Sequence, residues 1–460
     1  MDAETHQDAE LAKLLSSISA EKRLQLLEAL LPLCPEADFA RIHNRAGPSL
    51  QRLTKLEDLP DELLIHVFSY LNAPSLAATA RSCQRFAALV RDDHLWRLLR
   101  QRQEHDGSYD VFPTSPSKET HRFVHDNRKS ERQDSAFATS LPSRFCEMFR
   151  QGYLTARNWR RGEYRVSRVV RRTGSLHTDF DVGQALAVSL SVNGASLWNY
   201  SKSSQAPQVL HPGSLTTVRM CDDFIVSAGA HDGTIRVSCK HSQELVCVIQ
   251  SAHVSEIGAL ICERGWIVSG GEDGVVQVWE LNTHNGRMVA KSLVVLRDQH
   301  KDGVTAIALD QRRKRVASAS ADGAVWVNTL QPDMRTQSIE LQTAQRDPVF
   351  SLALSKEFLL VGDAQGNVSV WAMTGAEPRH VTRLNAHAGP VICLQLDTHK
   401  FVSAGGDKLV KVWSLYQSNV PLYSIRHNAL IGPISALRFD SRMLVCSDVT
   451  STLVEYDFGL

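Results

Sequence analysis

"WIVSGGEDGVVQVWEL" occupies residues 266–281. Two apolar, β-branched stretches flank an acidic pair and a glycine, so the segment reads as a strand, a tight turn and a second strand. Asp273 in that turn has three readings when taken alone: catalytic acid, metal ligand or structural carboxylate. The rest of the chain decides among them. The same pattern returns as "FIVSAGAHDGTIRVSC" at 224–239, "RVASASADGAVWVNTL" at 315–330, "FLLVGDAQGNVSVWAM" at 358–373 and "FVSAGGDKLVKVWSL" at 401–415. Five copies of one hairpin describe a repeat array, not five active sites.

The residue closing the second strand falls at Ser238, Trp279, Asn328, Trp371, Trp413 and Tyr456, with spacings of 41 to 49 residues. A unit of roughly 40 to 45 residues is the length of a four-stranded propeller blade. The chain resembles the WD-repeat propellers. Two units carry that family's hydrogen-bonding set in full, as His253, Ser269, Asp273, Trp279 and as His387, Ser403, Asp407, Trp413. The resemblance implies that Asp accepts from His and from turn amides, while Ser bridges His to Trp. Such a half-buried charge is tolerable because several donors satisfy it.

Other units depart from the set. His300, Ser318 and Asp322 stand with Asn328 in place of Trp; Asp232 lacks its Trp; Gln365 and Thr450 replace the Asp. These blades are expected to depend more on apolar packing. A first blade is expected near residues 174–210, and the last unit supplies three strands. "EYRVSRVV" at 163–170 is then the natural fourth strand, closing the ring and leaving no open edge. The expected fold is an all-β, seven-bladed WD-repeat β-propeller, preceded by a small all-α domain and N-terminal helices.

A propeller near 300 residues leaves about 155 of the 460 for other structure. The net charge of +1 makes no electrostatic case for nucleic acid or a membrane surface. Nine scattered cysteines contain no C-x-x-C pair, so neither a disulfide framework nor a zinc site is expected, and no metal or cofactor is called for. The acidic start "MDAETHQDAE" is unlike a signal peptide, and no apolar run approaches the roughly 18 residues of a membrane span. These features fit a reduced cytoplasmic or nuclear compartment rather than secretion.

Residues 56–100, "LEDLPDELLIHVFSYLNAPSLAATARSCQRFAALVRDDHLWRLLR", switch to helical periodicity. Pro60, Asp61 and Glu62 suit a helix start. A second helix is expected after Pro74 and Ser75 with Leu76, Ala80, Cys83, Phe86 and Val90 on one face, and a third after Asp93 with Leu95, Trp96 and Leu99. So much apolar surface on so small a unit points to a partner. The stretch resembles an F-box in Leu59-Pro60, Phe68-Ser69-Tyr70-Leu71, Cys83 and Leu95-Trp96, departing from the common pattern at Ser82 and Phe86. The resemblance implies docking on the Skp adaptor, and through it a cullin and a RING subunit, by Leu59, Pro60, Leu63, Leu64, Val67, Phe68, Leu71, Leu76, Cys83, Phe86, Leu95 and Trp96.

The chain divides on this reading into a helical segment and linker (1–55), F-box (56–101), a polar, aperiodic linker read as disordered (102–140), a connecting helix (141–158) and the propeller (159–460). Residues 11–31 carry helical leucine spacing, read either as packing on the F-box or as a dimerisation element. Asn158-Trp159-Arg160 resembles the lead-in to the propeller of F-box/WD-repeat proteins, and the layout is most similar to their dactylin-like members.

No Walker-type phosphate loop, H-E-x-x-H or G-x-S-x-G occurs. Cys221, Cys247, Cys262, Cys393 and Cys446 sit in strand patterns, where cysteine acts as a small hydrophobe. No catalysis is expected; function lies in binding. Counting by repeat places Arg219, Gly258, Thr305, Phe350, Ile392 and Ser435 at the start of the innermost strands, and His231, Glu272, Ala321, Ala364 and Gly406 before the turn. The substrate-binding rim is therefore expected to use Arg219, His231, Glu272, Thr305, Phe350, Ile392 and Ser435, with an apolar anchor and one charged contact. Relatives that read phosphorylated segments place several arginines here, whereas Glu272 would repel phosphate. The leading expectation is a non-catalytic substrate receptor of an SCF (Skp-cullin-F-box) ubiquitin ligase; the alternative is a WD-repeat scaffold independent of degradation.

Overall fold

The computed structural model describes residues 61–99 and 144–459, with short gaps inside both ranges, and the chain divides into two compact units, 1–153 and 154–460. Residues 11–31 with their self-association reading, Leu59, Pro60, the linker 102–140, and His231 with Asp232 lie outside the described residues.

The second unit is a ring of seven four-stranded antiparallel sheets. Their innermost strands are Leu176–Asp181, Leu215–Met220, Ile257–Glu263, Val304–Asp310, Val349–Leu354, Val391–Leu396 and Ile434–Phe439, numbered here as blades 1 to 7. In blade 7 the outer strand is Arg165–Arg171, which pairs antiparallel with Thr452–Asp457, so residues from the two ends of the unit share one sheet. The ring closes as the missing fourth strand required. Each innermost strand except that of blade 1 bulges between its first and third residues, which turns the second residue toward the central channel. In blade 1 the slip comes one residue later, between His177 and Asp179.

Alternating apolar residues on the strands meet between blades rather than within them. Seven apolar clusters each span two neighbouring blades, from Val188 with Val218 (blades 1 and 2) round to Phe180 with Leu453 (blades 1 and 7). A helix Arg144–Arg161 leads into the ring. At its C-terminal end Asn158 Nδ2 donates to the Phe458 carbonyl at 2.8 Å, and Trp159 Nε1 donates to the Ser441 carbonyl at 2.8 Å while its ring stacks on Phe458. Those contacts tie the strand lead-in to the closing blade.

Two expectations need correction. Cys221 and Cys262 form a disulfide, because the innermost strands of blades 2 and 3 run side by side and bring the two Cα atoms to 5.7 Å. Their separation of 41 residues is one repeat, so the pairing is hidden in the spacing of the blades. The second F-box helix is also interrupted. Cys83 takes an extended conformation (φ −156°) and caps a new helix, Gln84–Val90, its sulfur accepting from the Phe86 amide at 3.4 Å.

In the first unit a helix is described over Asp61–Phe68. Leu64, Phe68, Leu76, Phe86, Leu95 and Trp96 are buried together, with Phe68 and Phe86 edge to face at 5.3 Å. Trp96 Nε1 is satisfied by the Val90 carbonyl at 2.7 Å.

Candidate functional site

The rim of the propeller is a set of hairpin turns, and each turn must be held by some acceptor for its backbone amides. In blade 6 the full relay forms: Trp413 Nε1 donates to Ser403 Oγ at 2.9 Å, Ser403 Oγ lies 2.8 Å from His387 Nε2, and His387 Nδ1 donates to Asp407 at 2.8 Å. Asp407 also accepts from the amides of Ala388 and Leu409. Burial alone would raise the Asp407 carboxyl, but the His387 contact and these amides hold it below the usual carboxylate range.

Blade 3 stops one step short, a correction to the expectation of two complete sets. His253 reaches Asp273 at 3.2 Å and Ser269 at 2.9 Å, while Trp279 Nε1 is buried without an acceptor. The pairing with the outer strand slips between Val278 and Trp279, and blade 6 has no such slip. Asp273 still accepts from the Val254 and Val275 amides, so its structural reading stands. Gly274 follows with φ +71°, and a Cβ there would sit 2.7 Å from the His300 carbonyl of the next blade.

The blades with incomplete sets hold their turns with other polar groups beside their apolar packing. In blade 4 Asn328 and Gln299 exchange two amide hydrogen bonds in place of the Trp contact. In blade 5 Asp363 accepts from the Gln365 and Asn367 amides and from Arg383 at 2.8 Å. In blade 7 Asp448, fully buried, accepts from the amides of Ile431, Gly432, Thr450 and Thr452 and from the Thr450 hydroxyl. Asp363 and Asp448 stand two residues before the positions filled by Gln365 and Thr450. The strands end at these two aspartates and the chain then turns, so each carboxylate lies beside the amides of its own turn. Blade 1 hides another relay: Trp198 Nε1 donates to Ser189 Oγ, which lies 2.8 Å from His177 Nδ1. The Trp198 and Ser189 spacing of nine residues, against ten in blade 6, was the available signal.

Within this frame the structure brings Gly258, Thr305, Phe350, Ile392 and Ser435 together round one central channel. Arg219 lines it too, but not at the rim. Leu215, which pairs with Gly229, is the first residue of its strand as Ile257 is of blade 3, so the rim position of blade 2 belongs to Thr216 and Arg219 lies three residues deeper. Its Nη1 donates to the Thr178 carbonyl at 3.0 Å and its Nε to the Leu260 carbonyl at 3.2 Å, bridging both neighbouring blades. Thr305 Oγ1 is occupied by the carbonyls of Ala319 and Val349, and Ser435 Oγ by Ser447 and the His177 carbonyl. Phe350 remains 43% exposed and Glu272 is exposed, with Val254, Ile431 and Val449 exposed on the loops that face the same way. The described rim exposes apolar side chains together with charges of both signs, Glu272 and Asp302 beside Lys301, Arg346 and Lys408.

In the first unit the residues assigned to adaptor contact separate into two groups. Six form the buried core given above; Val67, Leu71 and Cys83 are partly exposed on its surface, and the helix carries Leu63 as well. Among the described residues no helix is long and apolar enough to cross a membrane, and no group of three or more His, Cys, Asp or Glu is placed to hold a metal ion.

Comparison with known proteins follows the same division. Residues 56–102 match the F-box-like family, and residues 291–327 and 378–414 match the WD domain, G-beta repeat. The human F-box/WD repeat-containing protein 4 is 24% identical over 426 residues, covering 87% of this chain and 90% of that protein. The mouse protein of the same name is 24% identical over 84% of this chain. Cilia- and flagella-associated protein 52 of Bos taurus is 26% identical over 46% of this chain, which spans only 33% of that relative's length. Among solved structures, the computationally designed Ika8 protein matches 63% of the chain at 20% identity and a TM-score of 0.46. The chain thus carries an F-box-like segment followed by a seven-bladed WD-repeat propeller, the two modules named in F-box/WD repeat-containing protein 4, to which it is similar.

Proposed function

We propose that the chain is the substrate receptor of an SCF-type ubiquitin ligase. The F-box holds the Skp adaptor and, through it, cullin and RING subunits; the propeller rim holds a protein target. The receptor acts by proximity and contributes no catalytic group of its own. The observation that carries the reading is the co-linear pairing of an F-box-like segment with a closed propeller. On the adaptor side the partly exposed Val67 and Leu71 join Leu59 and Pro60, while Leu64, Phe68, Leu76, Phe86, Leu95 and Trp96 shape the surface from beneath. On the target side Phe350 is the apolar anchor and Glu272 a charged contact elsewhere on the same rim, a combination suited to an apolar or basic segment.

Native pull-down of the full chain tests it. Wild type recovers adaptor and cullin, the Leu59→Ala/Pro60→Ala double variant loses both, and Phe350→Ala keeps both while its proximity-labelled targets decline. Wild type that recovers neither subunit overturns the reading.

A further inference from the structure

The wall of the channel holds charged groups that neither the hairpin turns nor the rim use. The residue just after the bulge of the innermost strand is small and uncharged in blades 2 to 7, as Thr217, Ala259, Ala306, Ser351, Cys393 and Ala436. Blade 1 has Asp179 there, 2% exposed. It accepts from the Phe180 and Met220 amides and, at 2.7 Å, from Arg438 Nε of blade 7. From the other side Arg219 of blade 2 reaches the Thr178 carbonyl. The two guanidiniums therefore approach adjacent residues of one strand, whose Cα atoms are about 3.8 Å apart.

The charges do not balance. Among the described residues Asp179 is the single carboxylate acting on either arginine, and the remaining acidic candidate, the Cys393 thiol, is pushed up to about 11 by burial and is neutral at pH 7. Arg219 is held low by burial first of all, as expected for a cation short of counter-charge. Hydrogen bonds to protein occupy Arg219 Nε and Nη1 and Arg438 Nε; Arg219 Nη2 and both Arg438 Nη atoms have no protein acceptor among the described residues. None of these nitrogens is sealed from solvent without a partner, and Arg438 is 34% exposed, so the spare donors look into the channel. Two guanidinium forks with one carboxylate between them leave spare donors of the kind that bind an oxygen-bearing anion.

We propose that the channel binds one small free oxyanion of the phosphate class between Arg219 and Arg438. It joins blades 1, 2 and 7 at the seam where the ring closes. The site stands apart from the receptor reading, and either can fail without the other.

The test uses the full chain at fixed ionic strength, with inorganic phosphate exchanged for chloride and binding read by calorimetry and melting temperature. Phosphate should bind saturably to wild type and raise its melting temperature. Arg219→Gln, which leaves the Asp179 contact with Arg438 in place, should weaken binding about tenfold, the loss of one charge-assisted contact. Asp179→Asn should tighten binding even as it lowers stability, an opposition that a purely structural role does not produce. A response equal to that of chloride, or an equal phosphate response in wild type, Arg219→Gln and Arg438→Gln, overturns the proposal.

Discussion

Blades 6 and 7 are neighbours that solve one problem with different residues. In blade 6 the turn carboxylate is Asp407, fixed through His387 and Ser403 to Trp413. In blade 7 no relay exists; Asp448 sits at the end of the strand and takes four backbone amides directly. The requirement is an acceptor for the turn, and the residue that supplies it is free to stand at the strand end or within the turn itself. Direct contact concentrates the burden on a single side chain, whereas the relay spreads it over four.

The comparison breaks first at those carboxylates. Asp448→Ala leaves four amides without an acceptor and should cost about 4 kcal/mol, against about 2 kcal/mol for Asp407→Ala, whose turn loses two amide contacts and one histidine. Denaturant melts of the two variants check the order; equal losses would show that the relay is as exposed to single substitutions as the direct contact.

Acid should separate the two designs next. His177, His253, His300 and His387 are all held below their usual value, by burial before any other cause. Each is a group with a depressed folded-state pKa, so the folded chain binds fewer protons than the unfolded one below about pH 6.5 and loses stability as pH falls. His177, pushed down to about 4, should account for about 3 kcal/mol between pH 6.5 and 4. The Asp448 contribution, from a carboxyl that burial would raise but its hydrogen bonds hold low, persists through that window and is lost only below the carboxylate range. Melting temperatures from pH 7.5 to 4.5 check this; a flat profile would remove the histidines from the account.

The smallest effect is the sharpest comparison. Trp413→Phe loses the bond to Ser403 and should cost about 1 kcal/mol, while Trp279→Phe, whose indole nitrogen has no acceptor, should cost less than about 0.5 kcal/mol. Matched thermal melts distinguish them, and equal losses would mean that Trp279 finds a partner in solution.

The ring itself was legible because hairpin and period repeat along the chain, and the closing strand followed from counting edges. Single positions were less so. Arg219 was misplaced by three residues because an innermost strand is defined by its register with the next strand, and "LTTVRM" offers no marker at Thr216. Asp363 and Asp448 escaped because a motif fixes an index, while hydrogen bonding fixes only a direction in space. The Cys221–Cys262 pairing and the Arg219–Asp179–Arg438 group join different blades, and contacts between repeats leave no local pattern. In the F-box the apolar excess was plain, but sorting core from surface needed the packing: Leu64 and Val67 look alike in sequence, and one is buried while the other is partly exposed.

Ring closure also sets a clock on the ribosome. Arg165–Arg171 emerges early, and its partner Thr452–Asp457 follows 281 residues later. At typical synthesis rates that strand waits roughly 15 to 60 s with an open hydrogen-bonding edge. Its sequence, "RVSRVVR", sets an arginine at every third place, a spacing of charge that discourages a stray strand from docking before the right one arrives.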